Sequence, residues 1–268
     1  GSGLLNNKNL GQYKNSGCFL CRENIKWQQE QRQMGFEIMA SSAKYVALMN
    51  PFPLLPNHVV VASRNHMSQD LKLLSNQKLG RKLHDVVLDL CQLAQRLPNH
   101  IGFYNGVGAG ASIPEHFHFQ FFQREPSMPV FPIEERDFTV VKNDGEPSSI
   151  LGYPINVFRW HGDLEKGVND ACKWIPFLIS QSRLNIKNFT ANFIATTCNS
   201  ENHITLYFAP RSKKKKYWNG NKGIVGGLEI LGELVMASKE ECALIEDGNV
   251  DYFFIERALS AVSIPLEI

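Results

Sequence analysis

The sequence lacks several features that would place the protein on a membrane or nucleic acid. It contains no apolar run of about 18 residues, the length that a transmembrane helix requires. Its formal net charge is only +2 over 268 residues, too small to drive binding to nucleic acid or a lipid surface. The opening stretch, GSGLLNNKNLG, lacks the charged-then-apolar order of a secretory signal. We therefore expect neither a membrane nor a nucleic acid among its partners.

A disulfide framework is also missing. The chain has six cysteines, and four of them lie singly within apolar or helical stretches. This arrangement favours reduced thiols and a cytoplasmic location. Cys18 and Cys21 form a C-x-x-C pair, which is consistent with a metal site, a redox couple or two buried thiols. A hydrophobic content of 43% and a charged content of 20% are ordinary for a globular enzyme or binding protein.

The most informative stretch is NGVGAGASIPEHFHFQFFQR, from Asn105 to Arg124. Polar and aromatic residues alternate in its second half, and this period of two predicts a β-strand. His116, His118 and Gln120 then share one face, and the intervening phenylalanines fill the other. We expect His118 to face solvent, since polar side chains are costly to bury without partners.

The order of parts in this stretch favours phosphate chemistry. Three glycines allow a tight turn whose N–H groups can surround phosphate oxygens. The imidazole of His118 can act on phosphorus as a base or nucleophile, and the amide of Gln120 can orient a phosphoryl group. A strand with a satisfied polar face and no chemistry is the alternative. Two histidines and a glutamine behind a three-glycine loop make that alternative the weaker interpretation.

His-Phe-His-Phe-Gln after a glycine-rich turn and a serine resembles the histidine-triad superfamily. The hydrolase branch carries His-x-His-x-His. The transferase branch carries His-x-His-x-Gln, as here, and includes galactose-1-phosphate uridylyltransferase, diadenosine tetraphosphate phosphorylase and the GDP-hexose phosphorylases. By this resemblance His118 is the nucleophile that receives a nucleoside monophosphate, and Gln120 steadies the nucleotidyl group.

The resemblance also implies the residues that bind substrate. They are Asn50 at the ribose and Asn105, Gly108, Gly110 and Ser112 around the phosphates. For Asn50, a simple turn residue before proline is an equally good interpretation. Ser112 lies four residues before His116, one more than the usual spacing, so an extra residue at Pro114 or Glu115 predicts a bulge in the loop.

A structural zinc site is implied as well. Zinc-binding relatives in the transferase branch use a Cys, Cys, His, His set, and the matching residues are Cys18, Cys21, His66 and His116. The ligand types alone do not distinguish zinc from iron. We expect no organic cofactor.

The predicted fold class is α+β, with two histidine-triad-like half-domains of antiparallel sheet and packed helices. The N-terminal half spans residues 1–125, a connecting segment 126–152, and a degenerate half without His-x-His 153–268. Apolar spacing predicts a long helix from Ser68 to Leu97 and, later, a hairpin of Phe189–Thr196 with His203–Ala209. The second half resembles that of the GDP-hexose phosphorylases, where it replaces the second subunit of a dimer. We therefore expect a monomer.

The leading functional hypothesis is nucleotidyl transfer from an NDP-sugar through His118 to phosphate or a sugar phosphate. A dinucleoside polyphosphate phosphorylase or hydrolase of the same fold is the alternative, and Gln120 argues against hydrolysis. A third possibility is a nucleotide-binding protein without activity, against which the intact loop, His118 and Gln120 argue. Product analysis with and without phosphate separates the three.

Overall fold

The computed structural model describes residues 17–28, 31–73, 80–97, 99–124, 130–141, 143–197, 203–219, 222–236 and 238–266. The strands are β1 (Phe36–Met39), β2 (Lys44–Met49), β3 (Val59–Ser63), β4 (Leu71–Lys72), β5 (Arg81–Lys82), β6 (His100–Asn105), β7 (His118–Gln123), β8 (Ser148–Ser149), β9 (Phe158–Asp163), β10 (Phe189–Thr197), β11 (His203–Ser212), β12 (Tyr217–Asn219) and β13 (Lys222–Ile224). The α-helices are α1 (Arg22–Ile25), α2 (Leu83–Arg96), α3 (Leu164–Gln181), α4 (Gly227–Leu231), α5 (Lys239–Glu246) and α6 (Tyr252–Val262).

One antiparallel sheet organises the described part of the chain. The sheet has nine strands there, in the order β1-β2-β3-β7-β6-β10-β11-β9-β8. The first five come from the N-terminal part and the last four from the C-terminal part. The parts meet where β6 pairs with β10, with Asn105 opposite Asn192. The predicted α+β class with antiparallel sheet and packed helices is confirmed.

Helices α2 and α3 cover one face of this sheet. Their apolar stripes, with Leu90 and Ile175 among them, pack on Phe119, Phe193 and Phe208 in one buried cluster. The phenylalanines between the motif residues belong to it, as the alternation predicts. The motif face of β7 is therefore the face opposite the two helices.

The opposite face carries a second and a third apolar cluster. Phe103 and Phe122 lie in the second, together with residues of α4 and α6. Val60 and Ala62 lie in the third, together with Leu20 from the segment between the two cysteines. The candidate site lies on this face, where the clusters meet along β7.

The predicted helix from Ser68 to Leu97 is wrong at its start. The helix begins at Leu83, and Leu71–Lys72 is a short strand that pairs in parallel with Arg81–Lys82. Gly80 between them has a φ of +96°, and a Cβ there would lie 2.7 Å from the Asp70 carbonyl oxygen. A helix cannot pass through such a residue. Residues 74–79 lie outside the described part of the chain.

The predicted hairpin is present and longer than expected, since β10 and β11 pair from Phe189↔Ser212 to Thr197↔Ile204. The division into residues 1–125, 126–152 and 153–268 stays a prediction, and its first boundary lies beside residues 125–129, outside the described ranges. Among the described residues, no helix is both long and apolar enough to cross a bilayer.

Candidate functional site

The motif strand is held between two neighbours. It begins at His118, opposite Ala62 of β3, and His116 lies in the turn that precedes it. On its other side β7 pairs with β6, where Gln120 lies opposite Phe103. The prediction that the strand already includes His116 is therefore wrong, because the Pro114–Glu115 turn bends the chain there.

The ring of His118 is buried, with only 3% of the residue exposed, so the expected solvent-facing position is wrong. Its Nδ1 lies 2.8 Å from the carbonyl oxygen of His116. A carbonyl only accepts hydrogen bonds, so Nδ1 carries the proton and the Nε2 lone pair is free. Burial lowers the pKa of His118 to about 4, although the bond to His116 opposes this shift. The neutral ring can act as a nucleophile at Nε2.

A second buried imidazole lies near His118. His58 packs on Phe122, with ring centroids 4.1 Å apart, and Phe122 lies on the same face of β7 as His118 and Gln120. Burial, and then the charge of His118, lower the pKa of His58 to about 3. No sequence motif points to His58, because it directly precedes β3, whose residues Val59–Ser63 form an apolar run.

Asn50 lies at the end of β2 and contacts this second imidazole. Its Nδ2 lies 3.1 Å from Nδ1 of His58, and its Oδ1 accepts from the N–H of Phe52 at 2.9 Å. The second bond is that of a turn residue before proline, as the alternative interpretation expected. The structure is consistent with Asn50 as a turn residue and with Asn50 as a ribose-binding residue. Its side chain contacts His58, which packs on the face of β7 that carries His118 and Gln120.

The glycine loop joins β6 to the turn before β7. Gly108 and Gly110 have φ values of +78° and +96°, which L side chains rarely adopt. A Cβ at Gly110 would lie 2.5 Å from Cα of Gly226, so the loop packs closely against the C-terminal part. Ser112 is exposed further along. Pro114 and Glu115 form a turn between Ser112 and His116, and the predicted insertion there stays a prediction.

Asn105 is engaged with the C-terminal part of the chain. Its Oδ1 accepts from Nδ2 of Asn192 at 2.8 Å and from the N–H of Gly227 at 2.9 Å. Asn192 also donates to the carbonyl of Ala109 at 2.7 Å and accepts from Arg211 at 3.0 Å. Both Asn192 and Arg211 are fully buried. This network, the loop latch, holds the glycine loop from the second half of the chain.

A cation lies on the outer side of the same loop. A Cβ at Gly108 would lie 3.0 Å from Cα of Lys213, the first of four consecutive lysines, Lys213–Lys216. The Lys213 Nζ is paired with Asp70 at 2.9 Å, and both side chains are partly exposed. The backbone of Lys213 thus packs against the loop that we expect to bind phosphate, and its ammonium group is neutralised by Asp70.

The four predicted metal ligands lie together. One ligand atom from each of Cys18, Cys21, His66 and His116 lies within 4.8 Å of all the others. The Sγ atoms of Cys18 and Cys21 are 3.3 and 3.7 Å from Nδ1 of His116, and Cys21 Sγ is 3.3 Å from Nδ1 of His66. At bond lengths of about 2.0 to 2.3 Å, ligand atoms around tetrahedral zinc are about 3.3 to 3.8 Å apart.

The protonation of the cluster fits a metal as well. Nε2 of His116 lies 2.8 Å from the carbonyl oxygen of Ser63, so it carries the proton and Nδ1 faces the cysteines with its lone pair. Burial raises the pKa of Cys18, and burial followed by the charge of Cys18 raises the pKa of Cys21 to about 12. A divalent cation would reverse these shifts. The Cys2His2 cluster could thus bind a metal.

Comparisons with solved structures agree with this architecture. Yeast Ap4A phosphorylase Apa2 superimposes with a TM-score of 0.53 at 15% identity, over 87% of each chain. Its complex with Ap4A gives a TM-score of 0.52 at 14% identity, over 87% of this chain and 90% of the other. The chain therefore shares the fold of this phosphorylase. Residues 7–123 match the profile of a domain of unknown function, DUF4922. No curated protein sequence matches the chain.

Within this fold, the structure brings most of the predicted site residues to one region. His118 and Gln120 share a strand face, and the four metal ligands form one cluster. Asn105 belongs to the loop latch, and Gly108 and Gly110 lie in the glycine loop that the latch holds. Ser112 is exposed beyond the latch, and Asn50 lies across the face next to His58. The roles of these residues in binding or chemistry stay predictions.

Proposed function

We propose that the protein is a nucleotidyltransferase of the phosphorylase type that acts through a nucleotidyl-histidine at His118. The observation that carries this proposal is the 2.8 Å contact between His118 Nδ1 and the His116 carbonyl. It leaves Nε2 as the atom with a free lone pair, on a ring that the strand holds in one orientation. The fold shared with Ap4A phosphorylase supports the same chemistry but does not establish it.

In the first step, Nε2 of His118 attacks the α-phosphorus of the substrate. An N–P bond forms, the α-phosphorus–oxygen bond breaks, and the rest of the substrate leaves with that electron pair on its phosphate oxygen. No proton has to leave the histidine, because Nδ1 keeps its hydrogen. The resulting positive ring is stabilised by the carbonyl of His116.

In the second step, an oxygen of inorganic phosphate or a sugar phosphate attacks the same phosphorus. The N–P bond breaks, its electron pair returns to Nε2, and the acceptor carries away the nucleotidyl group. Gln120 can donate a hydrogen bond to the nucleotidyl group but cannot supply or remove a proton. Positioning and electrostatic stabilisation of the phosphates then account for much of the rate enhancement.

The metal, when bound to Cys18, Cys21, His66 and His116, would act as a structural cross-link rather than as a participant in the reaction. A closed set of four protein ligands leaves no position for a substrate. The cross-link would tie the N-terminal segment to the segment that follows β3 and to the turn before β7. The ring of His116 would then bind the metal, and the carbonyl oxygen of His116 would accept the hydrogen bond from the ring of His118.

We propose an NDP-sugar as the substrate, so that the first step releases a sugar 1-phosphate and the second forms NDP. A dinucleoside polyphosphate is the second candidate, because the solved structure of yeast Apa2 contains Ap4A. The two substrates share the nucleoside α-phosphate that His118 would attack. They differ in the leaving group, which is a sugar 1-phosphate in the first case and a nucleoside polyphosphate in the second.

Incubation of the protein with a panel of NDP-sugars and dinucleoside polyphosphates, with and without phosphate, tests the proposal. Formation of NDP only in the presence of phosphate identifies a phosphorylase. Release of NMP without phosphate identifies a hydrolase, and no turnover of any member of the panel would support a binding protein. The His118→Ala variant is the control for contaminating activity.

A further inference from the structure

The strands β6 and β7 separate at the candidate site, and one side chain fills the gap. Their last registered pair is Phe103 with Gln120. By that register Asn105 would lie opposite His118, but the pairing of β6 with β7 stops at Phe103. On its other edge β6 still pairs with β10 as far as Asn105, which lies opposite Asn192. The side chain of Gln69, which is fully buried, occupies the position between Asn105 and His118.

The carboxamide of Gln69 satisfies the backbone that this separation leaves unpaired. Its Oε1 accepts from the N–H of His118 at 2.7 Å. Its Nε2 donates to the carbonyl of His118 at 2.9 Å and to that of Asn105 at 3.0 Å. One amide therefore replaces a strand partner on both sides of the gap, and it binds both backbone groups of His118.

The main chain of Gln69 is fixed in turn. Its N–H donates to the carbonyl of Pro114 at 2.9 Å, and its carbonyl accepts from the buried hydroxyl of Tyr104. Both partners belong to segments that flank the glycine loop. The position of the carboxamide is therefore set by the loop and by β6, not by an isolated turn.

We propose that Gln69 is a positioning residue that fixes the backbone of His118 relative to the glycine loop. The inference rests on the proposed function of His118. The ring of His118 reaches its orientation through two backbone elements, the His116 carbonyl and its own N–Cα–C segment. Gln69 holds the second of these and, through Asn105, ties it to the loop that would bind the phosphates. A displacement of about 1 Å between nucleophile and phosphorus can cost on the order of 100-fold in rate.

Two substitutions of Gln69 distinguish a role in positioning His118 from a contribution to the stability of the whole fold. Gln69→Glu keeps the size of the side chain and its Oε1 acceptor, but places an oxygen where Nε2 faces the carbonyls of His118 and Asn105. Gln69→Leu removes the acceptor as well. Asn156→Asp is the matched control, because it makes the same amide-to-acid change at another side chain. The Nδ2 of Asn156 donates to the carbonyl of Ile264 at 2.7 Å, in the C-terminal segment.

The first measurement does not depend on activity. Backbone amide exchange of the protein as purified should be faster at His118 in Gln69→Leu by about tenfold, while amides of α3 keep their rates. Unchanged exchange at His118 would overturn the inference. The measurement needs no substrate of the protein.

The second measurement uses the reaction. In Gln69→Glu, kcat should fall on the order of 100-fold with KM changed by less than about threefold, since binding groups remain while the nucleophile is displaced. Asn156→Asp should keep both constants. A wild-type kcat in Gln69→Glu would overturn the inference. If the wild-type protein itself forms no nucleotidyl-histidine, the proposed function fails, and amide exchange alone decides whether Gln69 fixes the strand.

Discussion

The loop latch makes a measurable prediction at Asn192. Replacing this residue by alanine removes its donated bonds to Asn105 and Ala109, of 2.8 and 2.7 Å, and the bond it accepts from Arg211 at 3.0 Å. All three bonds involve the fully buried Asn192 side chain, so water cannot replace them easily. We therefore expect both a loss of stability and a change in the glycine loop.

The expected magnitude follows from the bonds. A neutral hydrogen bond contributes about 1 kcal/mol, and one to a charged group about 1.5 to 3 kcal/mol. Two of the first kind and one of the second add up to roughly 3.5 to 5 kcal/mol. Arg211 keeps its bond to the carbonyl of Val225 at 3.0 Å, which favours the lower end. With a native stability of about 5 to 15 kcal/mol, the Asn192→Ala variant should still fold.

Urea unfolding followed by circular dichroism measures this loss. The free energy of unfolding should fall by about 3.5 to 4 kcal/mol with an unchanged m-value. Asn156→Ala, which removes a single side-chain bond to the carbonyl of Ile264, should lose only about 1 kcal/mol. A loss below about 1 kcal/mol at Asn192 would refute the reasoning, because buried partners left without bonds cost more than that.

Three further predictions concern the reaction, the metal and the assembly. His118→Ala should abolish turnover, and labelled substrate quenched in alkali should leave label on His118 of the wild type; label on another histidine would refute the assignment. Protein purified without chelator should contain about one metal per chain, as a closed four-ligand site implies, and Cys21→Ser should lower its melting temperature. Elemental analysis without metal would contradict this. Light scattering should give the mass of one chain, and an obligate dimer with a site built across chains would disprove the monomer.

The strand pattern was predictable because it is local. A period of two in the motif predicts which side chains share a face, and the phenylalanines do enter the core as expected. The predicted start of α2 was wrong for a local reason too. Gly80, with its positive φ, interrupts an apolar spacing that otherwise suits a helix. A single glycine inside such a pattern is a weak signal in sequence.

The buried partners of the site were not predictable in this way. Gln69 and Asn192 carry no motif, and each acts through partners that are distant in sequence: 49 positions separate Gln69 from His118, and 87 separate Asn192 from Asn105. The expectation that His118 faces solvent failed for the same reason. The polar groups of His118 bond to the carbonyl of His116 and to Gln69. The alternation of polar and apolar residues along the strand does not predict these partners.

The joint between β6 and β10 has a practical consequence for work on fragments. A polypeptide that ended at residue 124 would leave β6 without its neighbour, with backbone groups from Gly102 to Asn105 bare along one side. Bare strand edges recruit other chains, so such a fragment should aggregate when it is produced alone. Two fragments made in the same cell could instead bind each other along this seam, which would offer a way to assemble the site on demand.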